Sequence, residues 1–235
     1  MKIEGSVALV TGANRGLGAA FCRTLLEHGA SKVYAGARDP QSVHHEGVIP
    51  LQLDVTSAGD IAAAAELCSD VSLLINNAGI GSATSVLAEG ALDAARREFK
   101  TNTFAPMALS SAFAPVLAAN GGGAIVNVLS VLSWVAIPTT ALYCASKAAG
   151  WSLTNSLRQE LLGQNTQVVG LYVGLMDTDM AADLHGAKSD PDAVASLTLA
   201  GIEAEVYEVL ADDASRHVRG VLSSELTALY PTLSS

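Results

Sequence analysis

The sequence predicts one α/β domain built on an open, doubly wound parallel sheet of about seven strands flanked by helices. Three observations predict it. Short apolar runs alternate along the chain with longer segments of helical rhythm, the pattern of right-handed βαβ units. Most of these runs are continuously apolar, as expected of parallel strands covered on both faces. The first run stops at a glycine-rich turn that opens into a helical pattern, which is where a doubly wound sheet builds its ligand crevice.

Ser6-Val7-Ala8-Leu9-Val10 forms the first expected strand, Thr11-Gly12 stops it, and residues 17–27 form the first helix, closed by His28-Gly29. Further strands are expected at 32–36, 48–53, 71–76, 124–130 and 168–173, with a weaker seventh at 221–223. Helices are expected at 61–68, at 91–117 with a break near Pro106, at 141–162 and at 191–210. The connection 37–47 is barely long enough for a crossover, which takes about 10–12 residues, so its helix should be a remnant. With no internal repeat, low-complexity tract or linker, residues 1–235 read as a single domain.

A chain of 235 residues can bury a sizeable core. Half of them are hydrophobic, yet no apolar run approaches the roughly 20 residues of a membrane span, so a soluble protein is expected. Met1 to Gly5 leads straight into the first strand without the parts of a signal peptide, which points to the cytoplasm. Cys22, Cys68 and Cys144 are far apart and odd in number, and read as reduced, packed thiols. His44, His45 and His185 lack carboxylate or cysteine companions at ligand spacing, so no metal is expected. A formal net charge of −10 argues against a sequence-independent nucleic-acid binder. Residues 101–146 contain no Asp, Glu, Lys or Arg. Either this stretch is a deeply buried helix and strand, or residues 104–117 also pack against another subunit, where charge is depleted.

The turn from Thr11 to Gly18 sets Gly12, Gly16 and Gly18 at Gly-x-x-x-Gly-x-Gly spacing. Glycines let backbone approach a pyrophosphate, and a helix N-terminus attracts its charge. Gly12, Asn14, Arg15, Gly16, Leu17 and Gly18 are therefore candidates for a dinucleotide cradle. After the second strand come Arg38 and Asp39. A carboxylate there would bond a ribose 2′-hydroxyl and an arginine would accept a 2′-phosphate. Arg15 and Arg38 together favour NADP(H) over NAD(H), with Asp39 as a turn or cap residue. Asp54-Val55 could face the adenine ring, or Asp54 could begin a turn with Ser57 capping the next helix. Tyr143 and Lys147, four residues apart, share a helix face. A phenol with a pKa of about 10 is a poor acid at neutral pH, and a nearby cation makes it a better one.

With these pieces in order, the chain resembles the short-chain dehydrogenase/reductase family over essentially its whole length. The resemblance rests on Thr11 to Gly18, Asp54-Val55, Asn76-Asn77-Ala78-Gly79, Asn102, Ser130, and Tyr143 with Lys147. Each motif is weak alone; the ordered set is specific. The resemblance implies a Rossmann fold and an NADPH-dependent carbonyl reductase. Tyr143 would exchange a proton with the substrate oxygen, while Lys147 would lower its pKa and bond the nicotinamide ribose. Ser130, thirteen residues before Tyr143, would position the carbonyl in preference to Ser133, and Asn102 would hold a water linking Lys147 to solvent. Asn77, Ala78, Gly79, Gly174, Met176 and Thr178 would complete the cofactor site, and a homodimer or homotetramer would be usual.

Two departures stand out. Similar proteins usually carry Pro-Gly after the sixth strand, where this chain has Val173-Gly174, and residues 221–235 lack the Asp-Gly-Gly ending that many relatives show. The expected substrate loop, 179–190, is short. Trp134, Val135, Met180 and Leu184 are expected to line an apolar pocket, favouring a hydrophobic ketone, aldehyde or secondary alcohol. The competing reading is a catalytically silent NADP(H)-binding regulator. It predicts a broken Ser/Tyr/Lys set, and the set here is intact.

Overall fold

The computed structural model describes residues 1–234, and Ser235 lies outside the described residues. In chain order the elements are β1 (Val7–Thr11), α1 (Gly16–Glu27), β2 (Lys32–Ala37), β3 (Ile49–Gln52), α2 (Ala58–Leu67), β4 (Leu73–Asn76), α3 (Ala91–Phe99), α4 (Ala105–Ala119), β5 (Gly123–Val128), α5 (Ala141–Glu160), β6 (Thr166–Tyr172), α6 (Pro191–Glu203), β7 (Glu208–Leu210), α7 (Asp213–Val221) and α8 (Leu226–Leu229). The strands form one seven-stranded sheet in the order β3-β2-β1-β4-β5-β6-β7, with every pairing parallel. This is a single-domain Rossmann fold.

The continuous apolar runs are explained by two cores, one on each face of the sheet. Ala8 and Val10 of β1, Leu73 and Ile75 of β4, and Ala124 and Val126 of β5 join residues of α1 and α6. Leu9, Leu74 and Ile125, the residues between them, join α2 and α4 on the other face. Because side chains alternate across a strand, a strand covered on both faces needs apolar residues at every position.

Strand order reverses between β1 and β4: the chain leaves β1 for β2 and β3, then returns to the other side of β1. Connections diverge there, which opens a crevice at the carboxyl ends of the strands. Thr11 closes its floor. Its Oγ1 donates to Ile75 O at 3.2 Å and accepts from Asn77 N and Ala78 N, both at 3.0 Å.

The remnant expected at 37–47 is a short 3₁₀ turn, Pro40–Ser42, with Asp39 as its cap through Gln41 N at 2.9 Å. The long helix expected at 91–117 is two helices, α3 and α4, joined by a π-helical turn at Lys100–Phe104, just before Pro106. The seventh strand is not at 221–223, which falls at the end of α7 and the turn after it. It lies at Glu208–Leu210, inside the region expected to be helical, because α6 stops at Glu203. Glu205, at φ 58°, turns the chain back, and Val209 packs over Gly201, where a Cβ would stand 2.6 Å from Val209 Cγ2. A three-residue strand with one buried side chain carries no readable period.

In the uncharged stretch, α4 buries Leu109, Phe113 and Leu117 while Phe104 and Met107 remain exposed. Among the described residues no helix is long and apolar enough to cross a membrane. Phe113 is fully buried on the inner face of α4, so Phe113→Ala should cost about 3–5 kcal/mol. Urea unfolding should show a lower midpoint with an unchanged slope; a loss under about 1 kcal/mol would mean that the site collapses around the missing ring.

Candidate active site

The carboxyl ends of β5 and β6 meet the N-terminal half of α5. Lys147 of α5 is buried, 5% exposed. Its Nζ donates to Val128 O at 2.8 Å and lies 5.6 Å from the centroid of the Tyr143 ring. Ser130, just past β5, is also buried. Its Oγ accepts from Leu132 N at 3.1 Å and donates to Val173 O at 3.3 Å. The Ser133 hydroxyl accepts from Ser130 N at 3.2 Å, completing a capping box on the turn Val131–Ser133. Ser133 is thus used locally, and Ser130 is the serine beside Tyr143.

Burial dominates the electrostatics of the pair. It pushes the Tyr143 phenol up to about 12, with the Ser130 hydroxyl opposing and Cys144 and Glu98 adding to the rise. Burial also pushes the Lys147 ammonium down to about 8. Desolvation disfavours whichever form is charged, so it acts on the two groups in opposite directions. The lowering of the phenol comes from Ser130, and burial outweighs it; the lowering by Lys147 that the resemblance implies is not among the causes of this shift.

Asn102 sits in the π-helical turn. Its Oδ1 accepts from Ile80 N at 2.9 Å, and its Nδ2 donates to Ile80 O at 2.8 Å and to Ser146 Oγ at 3.0 Å. The side chain is occupied in holding Ile80 and Ser146, and the residue also lines the space beside Lys147. Beside Lys147 lies a small cavity lined by Asn76, Asn102, Asn127 and Val128. Asn76 Nδ2 donates to Asn127 Oδ1 at 2.8 Å, whereas Asn76 Oδ1 is buried without a protein partner. The unpartnered Asn76 Oδ1 beside Lys147, in an otherwise largely apolar lining, is a polar group that a bound water would satisfy.

On the cofactor side, a Cβ on Gly18 would lie 2.1 Å from Gly12 O and 2.6 Å from Asn77 Nδ2. Glycine is therefore required for α1 to begin flush against the β1 and β4 ends. The N-cap residue Arg15 makes no side-chain capping bond, which leaves the first amides of α1 for an anion. This cradle fits a dinucleotide pyrophosphate. Asn77 braces the turn by donating to Thr11 O at 2.8 Å and Gly12 O at 3.2 Å. Asn14 and Arg15 are exposed, while Leu17 is packed in the core. A Cβ on Gly79 would stand 3.7 Å from Lys147 Nζ, and Ala78 contributes its backbone to the Thr11 contact.

Arg38 is exposed at the end of β2, with no ion pair or hydrogen bond among the described residues. Arg15 pairs instead with Asp179, in the loop after β6, at 3.1 Å, both largely exposed, a contact worth under about 1 kcal/mol. Asp54 Oδ1 accepts from Thr56 N and Thr56 Oγ1, and Ser57 caps α2, so Asp54 begins a turn. Val55 packs in the core.

Gly174 N donates to Asp212 Oδ2 at 2.6 Å, while Asp212 Oδ1 caps α7 through Ser215 N at 2.7 Å. This carboxylate pins the loop that lacks the usual proline. Met176 is bridged to Ser189, and the Thr178 methyl lies 3.2 Å from where a Cβ on Gly16 would be. Trp134 does not line a pocket. Its ring stacks on Tyr172 at 4.1 Å in a third core cluster, because the turn after Ser130 directs it inward. Val135 is half-buried, and Met180 and Leu184 are exposed on the loop.

Sequence reading missed Asn76 as a cavity group, Asp212 as the loop anchor, Glu98 beside Tyr143, and Tyr230, whose hydroxyl accepts from Ala136 N at 2.9 Å. Each acts across a fold contact that no local spacing encodes. Together Tyr143, Lys147 and Ser130 can receive an oxygen at the crevice and exchange a proton with it.

The Lys147 shift has a consequence independent of turnover. Between its ordinary value of 10.5 and about 8, the unfolded chain binds a proton that the folded chain does not. The parent therefore loses about 1.4 kcal/mol per unit as pH falls through that window, and no more below it. Lys147→Met lacks this loss, so its stability relative to the parent should rise as pH falls from about 10.5 to about 8. A difference independent of pH in denaturation curves would contradict the burial of a depressed lysine.

Comparison with known proteins agrees with this geometry. The family model described as short chain dehydrogenase matches residues 6–189. A short chain dehydrogenase from Burkholderia cenocepacia, solved in complex with NADP, is 38% identical with a TM-score of 0.94, over 100% of both chains. The NADP-dependent 3-hydroxy acid dehydrogenase of Schizosaccharomyces pombe is 27% identical, over 82% of this chain and 80% of that protein. The 3alpha-hydroxysteroid dehydrogenase of Mediterraneibacter gnavus is 31% identical, over 95% of this chain and 96% of that protein. The chain belongs to the short-chain dehydrogenase/reductase family of oxidoreductases.

Proposed function

We propose that this protein is an NADP(H)-preferring carbonyl reductase, acting between the cofactor and a hydrophobic ketone, aldehyde or secondary alcohol. The observation that carries the reading is the meeting of Ser130, Tyr143 and Lys147 at the crevice where the uncapped N-terminus of α1 opens. The NADP in the Burkholderia structure and the steroid alcohol named for the Mediterraneibacter relative support cofactor and substrate class. Bound NADPH would supply the hydride.

The chain's own residues do the rest. Gly12, Gly16 and Gly18 let the turn approach the pyrophosphate, and the free guanidinium of Arg38 takes the 2′-phosphate, joined by Arg15 when it leaves Asp179. Gly79, Lys147, Gly174, Met176 and Thr178 surround the nicotinamide end. Ser130 Oγ and Tyr143 Oη hold the substrate oxygen. A phenol held near 12 is fully protonated at neutral pH and serves as the acid in reduction, giving its proton to the oxygen as negative charge develops there. The phenolate left behind is stabilised by the Lys147 ammonium. Val135, Met180 and Leu184 would face the substrate's apolar part. The uncharged surface of α4 and the residue before it, with Phe104 and Met107 exposed, supports a homodimer or homotetramer joined there; the protein would act in the cytoplasm.

NADPH consumption with a panel of ketones tests the reading. Tyr143→Phe should lower kcat by about 10²–10⁴-fold while NADPH binding persists. A parent that binds NADPH but turns over no ketone or alcohol would favour a regulatory protein. Arg38→Ala should raise the NADPH KM by about tenfold or more, the weight of a charged hydrogen bond, and leave the NADH KM nearly unchanged. Equal effects on both would remove the case for NADP preference.

A further inference from the structure

Glu98 is a buried acid that the mechanism above does not use. It sits near the end of α3 at 2% exposure. Its Oε1 accepts from Ser82 Oγ at 2.5 Å, while Oε2 is buried with no hydrogen-bond partner. Burying a carboxylate with one oxygen unsatisfied is costly, so a simple surface role does not account for it. Its neighbours point to Tyr143. A Cβ on Gly81 would lie 3.2 Å from Tyr143 Cδ2 and 3.6 Å from Cε2, so the segment 80–82 packs against the Tyr143 ring at a residue with no side chain. On one side of Gly81, Ile80 is held by Asn102 through both backbone groups. On the other, Ser82 is held by Glu98. Glu98 and Asn102 are four residues apart on consecutive helical turns and so reach the same segment.

We propose that Glu98 is a positioning residue for Tyr143: with Asn102 it clamps segment 80–82 as the wall against which the Tyr143 ring is packed. The proposal rests on Tyr143 being the proton donor. The charge of Glu98 works alongside the clamp. Ser130, Cys144, Glu98 and the Lys147 ammonium are the groups that face Tyr143, and of these Glu98 and Cys144 raise its phenol.

Two variants separate clamp from charge. Ser82→Ala removes the hydrogen bond and keeps the charge. Glu98→Gln keeps an acceptor for Ser82 and removes the charge. Ser82→Ala should lower kcat about tenfold, the scale of a small misplacement, with NADPH affinity unchanged. Glu98→Gln should move the Tyr143 titration to lower pH, read as ultraviolet tyrosinate absorbance after subtraction of the Tyr143→Phe curve, and shift the alkaline limb of the kcat profile the same way. Parental kcat in Ser82→Ala, or an unmoved Tyr143 titration in Glu98→Gln, overturns the proposal. The titration needs no turnover, so a parent without reductase activity would sink the proposed function and still leave this test readable. Ser82 is only partly buried, so Ser82→Ala keeps the question open to measurement should Glu98→Gln fail to fold.

Discussion

The architecture depends on how β1 is bound to β4. β1 is the one strand whose two neighbours are reached by chain segments running in opposite directions across the sheet, and a single hydroxyl, that of Thr11, ties the β1 end to Ile75, Asn77 and Ala78. That tie places the glycine turn and the Asn76–Gly79 turn side by side. The near-contact of Gly18 with Gly12 O then seats the N-terminus of α1 directly above them. The uncapped N-terminus of α1, the turn carrying Gly79 and the Lys147 cavity are all built around this junction.

At the catalytic pair, the same burial that raises the phenol lowers the ammonium. At neutral pH the resting pair is therefore a neutral phenol beside an ammonium. In the proposed reaction, attraction between phenolate and ammonium would become available only as the phenol releases its proton, so Lys147 would stabilise the outcome of proton transfer more than the state before it. That differential is what lowers a barrier. The bond from Lys147 to Val128 O keeps the ammonium in place without neutralising it.

Loop rigidity comes from unexpected sources. The missing proline after β6 is answered by Asp212, which binds Gly174 while capping α7. The π-helical turn at Lys100–Phe104 brings Asn102 to Ile80 and Ser146, while Glu98 one turn earlier reaches Ser82. Helix irregularity and segment 80–82 thus form one unit around the Tyr143 ring.

Residue type and spacing were sufficient for the alternation of strands and helices, the glycine turn, a remnant helix somewhere in 37–47 and the Tyr143–Lys147 pair, because each depends on neighbours within one or two turns of chain, while Ser130 was named through the family resemblance. The position of β7, the inward packing of Trp134 and the roles of Asn76, Glu98 and Asp212 were not legible. A three-residue strand has no period, an indole reads alike in a pocket or a core, and a carboxylate that bonds an amide 38 residues away leaves no local pattern. The pKa directions also required the fold, since burial rather than the charge four residues away sets them. Local chemistry named the candidate reacting groups; only the packed structure decided how deeply they are buried and what holds them there.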